Sequence, residues 1–136
     1  MPSIAIAEPH EHIRQLNDDE LVMDLHLAVR GERRFTTRVI QDLNEMHRRR
    51  LHLDRGYSSL HDYCIRCLKY PSSTAGRYIQ TARCVRHFPE MLELLRHGDL
   101  YMSTIALIEP ILTDENKDSI LSRVRGVSYR DVQRAV

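Results

Sequence analysis

Four soft ligands, Cys64, Cys67, Cys84 and His87, stand at a C-x2-C-x16-C-x2-H spacing. Zinc modules use such spacings, with thiolates and imidazoles closing a tetrahedral site. The same stretch, CIRCLKYPSSTAGRYIQTARCVRH, also carries Arg66, Lys69, Ser72, Ser73, Thr74, Arg77 and Thr81. Guanidinium, ammonium and short hydroxyl groups are what reach phosphates and base edges. The stretch therefore reads either as a metal clip or as a surface for a phosphate polymer.

Helical periodicity separates the two. Cys64 and Cys67 fall in line with Leu60 and Leu68 on one apolar stripe, where free cysteine packs as a small hydrophobe. On the next segment the apolar face is Ala75, Tyr78, Ile79, Ala82 and Val85. Cys84 and His87 fall at its edge or beyond, in line with Arg77 and Thr81. The four ligands are not expected to converge, and neither metal nor cofactor is expected. A redox role for the C-x2-C pair lacks a βαβ context. His10 and His12 form an isolated pair near the N-terminus. The outer face of the second segment is instead Ser73, Thr74, Arg77, Gln80 and Thr81.

Charge distribution points the same way. Net charge is only +1, but residues 1–29 carry −5 and residues 63–87 carry five bases and no acid. A basic block within a neutral chain is the footprint of a phosphate partner, and equally fits a solvated basic face.

The elements that would position these groups all read as helix. No sustained alternation signals a strand. With 42% apolar and 29% charged residues, the 136-residue chain has the composition of an ordinary soluble domain. Asn17–Glu20 is a capping-box start and Gly31 a stop for a first helix. Further helices are expected at about 36–53, from Ser58 or Ser59 to Leu68, 73–87, 89–98, 103–110, 113–126 and 128–136. The expected fold is all-α, seven or eight short helices containing a helix-turn-helix. Residues 1–16 are expected to be a flexible tail, 17–56 a helical extension, and 57–136 the helix-turn-helix domain.

Three motifs in order strengthen the reading. LHLDRGYSSLHDYCIRCL, then AGRYIQTARCVRHFPEMLELLRHGDLYMSTIALIEPILTDENKDSIL, then VSYRDVQRAV resemble the helical region ahead of the catalytic domain in many bacterial HNH-endonuclease-type proteins. From Leu60 onward the order also resembles the DNA-binding core of ParB-type partition proteins. There a helix-turn-helix precedes P-x-x-x-x-L-L-x-x-G-x-L, here Pro89 to Leu100, and a closing S-x-R-(D/E)-V helix, here Ser128 to Val132. The likeness covers roughly residues 45–136. The family usually has Gly at the corner, where this chain has Lys69, and a capping Ser or Thr where it has Pro71. The turn is therefore expected to be remodelled, with its second helix starting at Ser72 or Ser73.

The resemblance implies a DNA-binding module with double-stranded DNA as partner. Ser73, Thr74, Arg77 and Thr81 would face the major groove, and Arg66, Lys69 and Ser72 would hold phosphates. The alternatives are a helical interaction module without DNA binding, and the DNA-targeting part of an HNH nuclease. No ββα hairpin, catalytic Ser/His/Asp set or glycine-rich phosphate loop is legible, so no enzymatic activity is expected of the chain as it stands. The closing helix reaches the last residue, which leaves a longer gene product open. Residues 21–29 carry two apolar stripes, and the one holding Met23 and Leu27 is a candidate homodimer surface. The same helix sandwiched within its own domain is the alternative. No apolar run suits a membrane, no signal peptide is legible, and an odd number of cysteines argues against a disulfide scaffold, so a cytoplasmic protein is expected.

Overall fold

Ile40, Cys64, Ala75, Ala82, Met91 and Ile105 are completely buried, and they come from five helices that converge on one core. The computed structural model describes residues 9–136, with side chains described from Glu11 onward. The protein is all-α, with no strand among the described residues. The chain divides into two units, one ending at Glu32 and one spanning Arg33–Val136.

In the first unit, α1 (Pro9–Arg14) lies within the expected tail, while residues 1–8 of that tail fall outside the described residues. The side chain of His10 falls outside them too, and His12 is exposed. Helix α2 (Asp18–Arg49) begins as expected. The Glu20 amide donates to Asn17 Oδ1 at 2.8 Å, and the Asn17 amide donates to Glu20 Oε1 at 2.9 Å. Gly31 does not stop this helix, contrary to the expectation. It keeps a right-handed backbone, and no proline or polar turn follows it. An interior glycine costs about 1 kcal/mol against Ala. That is less than what the rest of α2 gains by burying Thr37, Ile40 and Leu43.

The second unit continues from α2. Arg50 takes the left-handed region (φ 55°) and separates α2 from α3 (Leu51–Asp54), so the expected 36–53 helix breaks after Arg49 and restarts at Leu51. Ser59, rather than Ser58, caps α4 (Leu60–Arg66) by accepting the Asp62 amide at 2.9 Å. A corner of residues 67–71 leads to α5 (Ser72–His87), the longest helix beginning in this unit. Helix α5 packs against α4, α6 (Met91–His97) and α7 (Met102–Ile108). A short 3-10 turn at Glu109–Ile111 follows α7. Thr113 and Asn116 bond each other reciprocally ahead of α8 (Lys117–Val124), so this helix starts four residues later than expected. Ser128 caps α9 (Tyr129–Ala135), which packs on α7.

No helix among the described residues is long and apolar enough to cross a membrane.

Candidate nucleic-acid interface

The site is built from α4, the corner and α5. Leu60 and Cys64 bury one face of α4, and Ala75, Thr81, Ala82, Cys84 and Val85 bury one face of α5. The corner is fixed by backbone bonds to the last turn of α4. Cys67 and Leu68 amides donate to the Tyr63 carbonyl at 2.9 and 3.1 Å, and the Tyr70 amide donates to the Cys64 carbonyl at 3.0 Å. Tyr70 stacks on Tyr78 of α5 with ring centroids 5.3 Å apart, which ties the corner to the second helix.

Lys69 occupies the corner position with φ 65°, the left-handed backbone that glycine adopts freely and that costs another residue about 1–2 kcal/mol. Its side chain is exposed. Pro71 follows as the N-cap of α5, and no side chain caps that helix. Its first turn carries no acid. The amides of Ser72, Ser73 and Thr74, at the positive end of a 16-residue helix, therefore have no side-chain cap, and Lys69 is three residues before Ser72 in the chain. Ser72 and Ser73 are exposed, and Thr74 and Arg77 are half-buried.

The five cations of this block do not stand equally free. Arg66 Nη1 lies 3.4 Å from Asp62 Oδ2 and its guanidinium sits 5.5 Å from the Tyr57 ring centre. Arg83 Nη2 lies 2.7 Å from Glu109 Oε1. Arg86 Nη1 donates to Asn44 Oδ1 at 2.8 Å. Lys69 and Arg77 make no ion pair among the described residues. The available charge is thus concentrated at the corner end of α5. Glu109, far away in sequence, takes Arg83 out of it.

No family model, curated protein or solved structure matches this chain. The site therefore stands on its own geometry.

Thr81 requires a correction. It was expected on the outer face of α5, yet it is completely buried and its Oγ1 finds no hydrogen-bond partner. The buried arc of α5 is wider than the apolar residues alone define, since Thr81 and Cys84 lie inside it beside Ala82 and Val85, and α5 packs against α4, α6 and α7. Small side chains permit that close approach. Thr81 is core and does not reach a groove. Cys84, expected at the edge, is buried as well, and its thiol donates to Glu109 Oε2 at 3.2 Å. Burial, and then the Glu109 carboxylate, push that thiol up to about 12.

The other residues at the zinc-like spacing are separated in the same way. Cys64 is buried with its thiol pushed up by desolvation, Cys67 is exposed, and His87 Nε2 lies 3.2 Å from Asp114 Oδ1 on the surface. Among the described residues no three His, Cys, Asp or Glu side chains are placed to hold a metal ion.

The aromatic cluster at the corner was not legible in the sequence. Tyr57 and Tyr63 meet edge to face at 4.9 Å, and their hydroxyls, followed by Lys69 and Arg55, hold the Cys67 thiol below its ordinary range. Tyr57 sits in the loop before α4, so helical spacing gives no sign that it joins residues 63–69.

Proposed function

We propose that α4, the corner 67–71 and α5 bind double-stranded DNA as a helix-turn-helix, and that the chain acts by binding, with no catalysis of its own. The observation that carries this reading is the coincidence of three features at one place. The N-terminus of α5 is uncapped, Lys69 and Arg77 are unpaired, and exposed hydroxyls lie between them. A strained, exposed lysine where glycine would be cheaper makes sense if its charge is used. The order of motifs resembling ParB-type proteins, and the helical region of HNH-endonuclease-type proteins, supports the same reading.

Lys69 and Arg66 would grip phosphates, with Ser72 and the free amides beside them. Ser73, Thr74 and Arg77 would approach base edges in the major groove. A second reading, a helical interaction module without DNA, is favoured by one observation: Arg66, Arg83 and Arg86 are already engaged within the chain. Amide chemical shifts distinguish the two. Adding a random duplex should move Ser72, Ser73, Thr74 and Lys69 most. Shifts confined to α8 and α9, or none at all, would contradict the proposal.

A further inference from the structure

Leu21, Val22, Met23, Leu25 and Leu27 are 44–65% exposed on the first turns of α2. These five large apolar side chains within seven residues fall on two faces of the helix, Leu21 and Leu25 on one and Val22, Met23 and Leu27 on the other, and a stable monomer rarely shows so much apolar surface to water. One face of this stretch forms a shallow groove lined by Asp19, Val22, Met23, His26, Leu27 and Arg30. Residues three and four apart share a helix face, so Asp19, Met23, His26 and Arg30 form a single row.

The row has polarity. Asp19 stands at one end with Glu20 beside it, the apolar residues lie in the middle, and Arg30 stands at the other end. Neither Asp19, Glu20 nor Arg30 makes an ion pair among the described residues. A surface that is acidic at one end and basic at the other complements itself only when turned end for end. A parallel copy would set acid against acid and arginine against arginine. A two-fold axis across the helices does the reverse, and it makes the contact isologous and closed.

We propose that residues 18–30 of α2 are a homodimer seam, packed antiparallel against the same residues of a second copy of this chain. With the two-fold near Asp24 and Leu25, Arg30 meets Asp19 and Glu20 of the second copy, and Met23 meets His26 and Leu27 of the second copy. The seam is about 20 Å long at the helical rise per residue, which is small for an obligate dimer. A concentration-dependent dimer in the micromolar range is expected. The seam does not rest on the DNA-binding reading, and its test uses no nucleic acid.

Sedimentation or light scattering of the whole chain should give twice the 16.0 kDa monomer mass at tens of micromolar. Met23→Glu with Leu27→Glu should give a monomer whose far-UV circular dichroism stays helical. Charge reversal tests the direction. Asp19→Arg alone and Arg30→Glu alone should each weaken association roughly tenfold, since each change acts twice across the two-fold. The two together should restore it. A monomer at every concentration, or a dimer indifferent to Met23→Glu with Leu27→Glu, would overturn the seam. A double reversal no better than the single ones would overturn the antiparallel arrangement. Circular dichroism of Asp19→Arg and Arg30→Glu, whose side chains are exposed, separates lost association from lost folding.

Discussion

At the scale of single residues, Cys67 and Thr81 make opposite predictions about the same two helices. Cys67 is exposed and its thiol is held below its ordinary range, first by the Tyr63 and Tyr57 hydroxyls and then by Lys69 and Arg55. A lowered thiol titration leaves more thiolate at a given pH, and thiolate is the nucleophile. In the folded protein, iodoacetamide should therefore label Cys67 and spare buried Cys64 and Cys84. The pH midpoint of labelling should lie below that of a free cysteine. Tyr63→Phe should move the midpoint upward, and an unmoved midpoint would mean that the hydroxyl does not hold the thiolate. Thr81 carries a buried hydroxyl without a partner. Thr81→Val removes that group at nearly constant volume, so urea unfolding should show equal or higher stability, by up to about 1–3 kcal/mol. DNA affinity should not change, because Thr81 does not reach the surface. Periodicity placed Ala75, Ala82 and Val85 inside correctly and misplaced Thr81 and Cys84. A polar or ambivalent side chain carries no burial signal of its own, and the helices that pack on α5 from further along the chain, α6 and α7, begin only at Met91 and Met102.

At the scale of elements, the glycines and their substitutes show which backbone features the sequence discloses. Gly31 and Gly98 look alike as helix stops, but only Gly98 has a positive φ (77°), closing α6. Gly31→Ala should stabilise α2 by about 0.5–1 kcal/mol, since nothing lies within 4 Å of the added Cβ. Gly98→Ala should destabilise by at least about 1–2 kcal/mol, since the left-handed backbone is strained for alanine and the new Cβ would meet the Arg33 guanidinium at 2.6 Å. Thermal unfolding of the two variants, moving in opposite directions, checks both. Caps were the most legible elements, because Asn17, Ser59 and Ser128 each act on a residue three positions away. The corner was legible in position and not in conformation. Lys69 in a left-handed backbone breaks the local rule that favours glycine there. Lys69→Gly should relieve that strain, offset in part by glycine's freedom in the unfolded chain, and leave the protein equally or slightly more stable. The same change should weaken DNA binding. A variant that loses stability as well as affinity would mean that the lysine is there for the fold.

At the scale of the whole molecule, a chain of net charge +1 has no general attraction for nucleic acid. Binding must come from where charge is placed and left unpaired. The basic block was visible in the sequence, but the engagement of Arg83 by Glu109 and Arg86 by Asn44 was not, since those partners lie 26 and 42 residues away. Under the proposed function, the remaining charge at the corner, Lys69 and Arg77, binds duplex DNA. Fluorescence anisotropy of the whole chain with a random duplex at two salt concentrations tests it directly. Each phosphate contact contributes about 0.9 to the slope of log K against log salt. The wild type should bind with an affinity that falls steeply as salt rises. Lys69→Ala with Arg77→Ala should stay folded, bind more weakly, and show a slope smaller by about two if both residues hold phosphates. If Arg77 reads a base instead, the slope should fall by about one, and discrimination among sequences should fall with it. A folded double variant that binds every duplex as the wild type does, or a wild type that binds none at low salt, would mean that this corner is not a DNA-binding surface.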